Sequence, residues 1–298
     1  MRNRLLVLGV VLALLIGLYI AGVRLYRGGE PTSRRAFPTI ESPESLLIER
    51  PGADSVALER TDVGWRVVEG EMRYPARDER VESFLEVVRG AELGRTVTAN
   101  QEAHAALGLT ESTASVLSIS ESGRTVEALV GDQGTAPDTA YFRFPASNEA
   151  RLLRGGLRFY LTQRRGFWAD LRVFYGLVDS SAVVRMDLND ATVIKRSEDD
   201  RWVLDDSDLD QDRVRELVRM SARFEATEYV PYQPNVDWTR SLRLHLDDGR
   251  VFAMYADDSG RVMAEGPGLP TDDDGFPYHY RSATVDRVFP AIADLSQE

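Results

Sequence analysis

Cysteine is absent from this 298-residue chain, which excludes disulfides, thiolate metal sites, iron–sulfur clusters and a cysteine nucleophile together. Histidine is scarce: only His104, His245 and His279 occur, and none has the i, i+4 partner that a helical zinc site needs. Neither the phosphate-cradling G-x-x-x-x-G-K-[ST] loop nor the G-x-S-x-G nucleophile elbow is present, so ATPase and serine-hydrolase chemistry lack their signatures. Positive charge is in deficit as well. A net charge of −12 and a pI near 4.9 oppose binding to nucleic-acid phosphates, which need a positive surface. These absences predict a chain that is not an enzyme, with no cofactor, no metal site and no nucleic-acid partner.

What is present starts with an uncharged run from Leu5 to Val23. At 1.5 Å rise per residue, about 19 residues nearly cross a hydrocarbon core of roughly 30 Å. The run predicts a retained transmembrane helix rather than a cleaved signal peptide, whose apolar region is about 7 to 15 residues long and ends in a small-x-small site. Tyr19 and Tyr26 suit the headgroup belt. Arg2 and Arg4 favour a cytoplasmic N-terminus, although Arg24, Arg27, Arg34 and Arg35 follow the run. The expectation is a single-pass protein of the bacterial inner membrane with an extracytoplasmic C-terminal region. Its anchor would cover 1–27 and a Gly/Pro/Ser linker 28–44.

With 43% hydrophobic and 28% charged residues the remainder can build a packed core, and its length suits two domains. Val56 and Leu58 alternate before Trp65-Arg66-Val67, and Val81, Phe84, Leu85 and Val88 then fall on one helical face. A similar order returns about 137 residues later. There Val183, Val193 and Trp202-Val203-Leu204 precede a helix carrying Val214, Leu217, Val218 and Phe224. Asp78 and Asp210 sit where a helix start gains from a carboxylate. Ser122-Gly123 and Asp248-Gly249 each separate two alternating runs, which predicts hairpins. The aromatic runs Tyr141-Phe142-Arg143-Phe144 and Tyr278-His279-Tyr280 follow them. A helical stretch is expected from Glu149 to Leu161, broken by Gly155-Gly156. The predicted fold class is α+β: an N-terminal transmembrane helix, then two tandem repeats of antiparallel sheet with packed helices, over 45–175 and 176–298.

Acidic clusters read as solvated loops. The run from Asp205 to Asp212 lacks the glycine and glutamate of a calcium loop, and Asp272-Asp273-Asp274-Gly275 reads as an acidic hairpin. His245 is expected on the polar face of a strand, and His104 on the surface of a short Ala-rich helix. Trp65 and Trp202 are expected to fill the core. The segment from Arg151 to Arg172 stands out as basic and aromatic in an acidic chain. Its Arg151, Arg154, Arg158, Arg164, Arg165 and Trp168 are the candidate partner-binding residues, since arginine pairs bidentately and stacks on rings.

Several short motifs in order carry a resemblance: Trp65, Leu107-Gly108-Leu109, Val130-Gly131-Asp132, Tyr141-Phe142-Arg143 and Phe167-Trp168-Ala169-Asp170-Leu171-Arg172. Over roughly 45–175 the chain resembles an uncharacterised domain-of-unknown-function family associated with gliding-motility-type ABC transporter gene clusters. The resemblance implies an anchor, repeated α+β modules and no catalytic residues. It further implies an accessory or scaffold role by protein binding in an ABC-type transport or gliding-related envelope complex. The partners it implies are a membrane complex with an ABC permease and its ATPase, alongside the bilayer that would hold the N-terminal helix. A ligand-binding sensor is the alternative, with a hydrolase behind it.

Overall fold

The computed structural model describes residues 34–175, 179–196, 198–205 and 207–296. In chain order, β1 (Arg34–Arg35), β2 (Ser45–Arg50), β3 (Ala53–Thr61), β4 (Gly64–Glu69) and β5 (Met72–Pro75) precede helix α1 (Asp78–Gly90). Next come β6 (Glu92–Thr98), β7 (Ser115–Glu121), β8 (Arg124–Gln133), β9 (Thr139–Arg143) and β10 (Ala150–Arg154), then short helices α2 (Leu157–Leu161) and α3 (Arg165–Trp168). After them lie β11 (Val183–Leu188), β12 (Ala191–Lys195), β13 (Trp202–Leu204), β14 (Ser207–Asp208) and α4 (Gln211–Ala222). The chain closes with β15 (Glu228–Val230), β16 (Arg240–Leu246), β17 (Val251–Ala256), β18 (Arg261–Glu265) and β19 (His279–Arg281).

The strands form a ten-stranded and a nine-stranded sheet with antiparallel pairing, which corrects the expected class. Antiparallel β structure dominates the described residues, in place of an α+β fold of a transmembrane helix and two tandem repeats. Among the described residues the α-helices other than α1, with 13 residues, and α4, with 12, are no longer than five residues. The expected helix at Glu149 illustrates why. Strand β10 pairs with both β6 and β9, so its backbone groups are satisfied by two neighbours and the segment turns helical only at Leu157. The run from Leu5 to Val23 lies outside the described residues. Among the described residues no helix is long and apolar enough to cross a membrane. The single-pass inner-membrane placement is corrected to this extent: the described helices α1 and α4 fall short of the roughly 20 apolar residues a span requires.

The chain clusters into two compact units. Of the described residues, one gathers 34–43, Ile48–Ala53 and Ser83–Thr162, and the other Glu44–Leu47, Asp54–Glu82 and 163–296. In the first, β1, β6, β10, β9, β8 and β7 lie side by side in that order. The β7–β8 hairpin turns at Ser122-Gly123, both with positive φ (51° and 74°), as the sequence predicts. Leu109, Ala114, Leu129 and Ala150 form a buried cluster beneath it. Two of the short motifs meet there. A Cβ on Gly131 would lie 2.2 Å from the Leu107 carbonyl oxygen, so only glycine lets the Leu107–Leu109 turn approach β8 this closely.

In the second unit β3, β4 and β5 form a meander. The nine-stranded sheet has the order β14-β13-β12-β11-β16-β17-β18-β19-β15. The turn at Asp248-Gly249 joins β16 to β17 as expected, with Gly249 at φ 85°. Helix α4 is capped by Asp210, whose carboxylate accepts from the Asp212 and Arg213 amides at 3.0 and 3.1 Å. It buries Val214, Leu217 and Val218, each contributing about 1.5–3 kcal/mol. Asp78 acts differently: it accepts from the Trp65 amide at 2.9 Å, tying the start of α1 to β4. Trp65 and Trp202 are both buried, the core positions the sequence predicts.

Candidate functional site

Every side chain of the candidate site belongs to the second unit. Its foundation is the segment from Phe167 to Arg172. Trp168 is fully buried, and Asp170 is 1% exposed. The Arg172 guanidinium forks onto the Asp170 carboxylate, Nε lying 2.8 Å from Oδ1 and Nη2 closing on Oδ2. Arg77 adds a second cation 3.7 Å from Asp170 and reaches Glu225 at 2.8 Å. That bidentate bond raises the Arg172 pKa further above its ordinary value. Arg80 sits nearby, donating to the Phe167 carbonyl. Burial, then the charge of Arg77, lowers its pKa.

A column of phenols stands on this base. Tyr229 donates to the Asp170 carbonyl at 2.6 Å, stacks on Tyr74 with ring centres 4.3 Å apart, and meets Tyr280 at 4.7 Å and Tyr278 at 5.2 Å. Tyr278 donates to the Arg73 carbonyl at 2.8 Å and accepts from Arg66 at 3.0 Å. Tyr74 donates to Glu69, which pairs with Arg165. Burial is the first cause that pushes all four phenols up, Tyr278 to about 12. Near neutral pH each is a protonated donor and not a nucleophile.

The column ends in a groove of about 360 Å³ between β5, the segment after β15, and the loop before β19. The loop is built by Asp272. Its Oδ1 accepts from the Asp274 and Phe276 amides at 3.1 and 2.7 Å, and its backbone pairs with Phe276 and Gly275. This geometry projects Phe276 outward against Tyr232. The two rings stack at 4.6 Å, yet they remain 44% and 43% exposed. Glu71, Asp272, Asp273 and Asp274 edge the groove. His279 lines it while only 3% exposed, packed by Tyr232 at 5.0 Å and Trp238 at 5.5 Å. Burial, then the charge of Arg261, lowers the His279 pKa, so the ring is neutral at pH 7. Its Nδ1 has no hydrogen-bond partner among the described residues.

Residues 65–244, more than half of the chain, match the domain of unknown function DUF4340. The chain belongs to this family. No curated protein and no solved structure matches it. Within the DUF4340 region lie Trp65, Asp170, Arg172, Tyr74, Tyr229 and Tyr232, so the matched segment supplies the ion cluster, half of the phenol column and one ring of the exposed stack.

The expected arginine surface is divided. Arg151, Arg154 and Arg158 belong to the first unit, while Arg164, Arg165 and Trp168 belong to the second. Arg151 donates twice to the Gly94 carbonyl and Arg158 once to that of Gly131, so both brace backbone. Arg154 and Arg164 are exposed, Arg165 pairs with Glu69, and Trp168 is interior. His104, expected on the surface, is buried and shares a hydrogen bond with the Asn148 carbonyl at 3.0 Å. His245 does lie partly exposed on β16, 2.8 Å from Asp187.

The groove carries little sequence signal. The acidic loop and the Tyr278–Tyr280 run are visible in the sequence, but nothing local brings Tyr232 and Phe276 together. The density of aromatic residues between Tyr229 and Tyr280 is the one pointer.

Proposed function

We propose that this chain is a protein-binding accessory subunit, acting through contact and not catalysis, and that it serves an ABC-type transport or gliding-related complex. The exposed Tyr232–Phe276 stack carries the binding reading. Two large rings held together at 4.6 Å, each more than two-fifths exposed, offer a rigid apolar contact beside a polar rim. That is the make-up of an interface hot spot. The transporter setting is supported by the resemblance of the motifs around Leu107–Leu109, Gly131 and Phe167–Arg172. A hydrolase is not favoured by the groove, where the phenols stay protonated and the buried His279 has no hydrogen-bonded carboxylate or nucleophile at Nδ1 among the described residues.

The test is site-specific crosslinking in the native host, with a photoreactive phenylalanine at position 232 and, as control, at Val63, which is 75% exposed. Amine-reactive reagents suit the chain poorly, because Lys195 is its single lysine. Crosslinking of an ABC permease or its ATPase from 232 and not from 63 supports the reading. The same products from both positions, or from neither, would sink it.

A ligand-binding role is the second reading, favoured by a separate pocket of about 380 Å³ in the first unit. Phe37, Phe142 and Phe144 meet edge-on in its wall, and Arg34 and Arg35 stand at its rim. A small molecule that co-purifies with the chain and leaves on Phe142→Ala would favour this role.

A further inference from the structure

We propose that the groove beside Tyr232 and Phe276 receives an arginine side chain from an extended segment of the partner protein. This deepens the protein-binding reading and rests on it. Three independent features converge. Four carboxylates, from Glu71, Asp272, Asp273 and Asp274, line the groove. The one guanidinium lining it, Arg73, is already paired with Glu59 at 3.3 Å. Arg261, the other cation near His279, donates to the Pro231 carbonyl at 3.1 Å. Glu71, Asp273 and Asp274 are exposed, and among the described residues none of these side chains has an ion-pair partner. Negative charge is thus left over in a chain otherwise rich in arginine.

The second feature is the stack itself. Tyr232 and Phe276 stay 43% and 44% exposed while stacked, and a guanidinium packs on aromatic rings more readily than a hydrated ammonium does. The third is His279. A side chain 3% exposed, with an Nδ1 that no neighbour satisfies, is costly unless something reaches it. That nitrogen belongs to a ring that lines the groove, and a guanidinium N–H supplies a donor for it. An arginine with five donors in a planar fork answers carboxylates, ring and imidazole together, whereas a compact, strongly hydrated ammonium stacks less well and cannot fork onto two oxygens. An extended peptide also covers the rings on both sides of the inserted side chain, which a free amine leaves wet.

The experiment is titration of the full-length chain with an acetylated, amidated Gly-Arg-Gly-Arg-Gly peptide, followed through the tryptophan indole N–H signals in NMR. Of the four tryptophans, Trp238 is the one packed on His279. The Trp238 signal is identified by its loss in Trp238→Phe. A saturable shift of that signal is expected, with the peptide's citrulline analogue and spermidine each on the order of tenfold weaker. Asp273→Asn with Asp274→Asn, both at exposed loop positions, should weaken the peptide by a similar factor. Tyr232→Ala should do the same, with the remaining indole signals unmoved. Citrulline or spermidine binding as well as arginine, or variants binding as well as the native chain, overturns the arginine assignment. If position 232 crosslinks the transporter while the peptide fails to bind, the partner-binding reading stands and this one falls.

Discussion

The phenolic hydroxyl of Tyr229 donates to the backbone carbonyl of Asp170 at 2.6 Å, across 59 residues of sequence. One side of Asp170 thereby holds the phenol column, while its carboxylate holds Arg172 and Arg77. The segment Phe167–Arg172 is consequently a structural base for the groove, and its motif residues need not touch a partner.

Tyr229→Phe removes the donor and leaves the Asp170 carbonyl buried and unpaired. Such a loss costs about 1–3 kcal/mol. Urea unfolding should show a lower midpoint with an unchanged slope. Because the ring and its stack on Tyr74 remain, the drop should be smaller than for Tyr229→Ala.

Asp170→Asn leaves two guanidiniums without their shared anion. Breaking a fully buried pair costs about 3–5 kcal/mol, and Arg172 is 32% exposed, so a loss of about 2–4 kcal/mol is expected. Arg172→Lys should recover only part of the native stability, since an ammonium cannot fork onto both oxygens. Thermal unfolding of the three chains tests the order.

The pH dependence near neutrality follows from His279. Its folded pKa lies below the unfolded value of roughly 6.5, so below that pH the unfolded chain takes up a proton that the folded chain refuses. Stability should therefore fall as pH drops from about 6.5 toward the depressed folded value, and level off beneath it. His279→Phe, which keeps a ring against Tyr232 and Trp238, should flatten this slope in a series of unfolding curves.

Gly131→Ala would press a methyl against the Leu107 carbonyl oxygen, only 2.2 Å from its ideal position. A cost at or above the usual 1–3 kcal/mol of overpacking is expected, visible as a lower unfolding midpoint. Gly90→Ala at the end of α1 meets nothing within 4 Å and should be neutral or stabilising by about 0.4–1 kcal/mol. The pair separates close approach from a general penalty on glycine replacement.

Much of the local structure follows from neighbours in the chain. The face of Val81, Phe84, Leu85 and Val88, the Asp210 cap and the Ser122-Gly123 turn are each set by interactions within a few residues, where spacing and φ preference suffice. Ala150–Arg154 shows the limit: its composition suits a helix, but ladder bonds to β6 and β9 decide otherwise. Trp168 and His104 read equally well as surface residues until the packing around them is known.

The groove is the extreme case. Tyr278 reaches the Arg73 carbonyl across 205 residues, and the Tyr232–Phe276 stack joins the segment after β15 to the loop before β19. The sequence by itself determined which segments would turn, alternate or coil, because those choices are made over a handful of dihedral angles. Only the tertiary structure decided that an acidic loop and a scattered set of tyrosines would share one wall, because that depends on which distant strands pair.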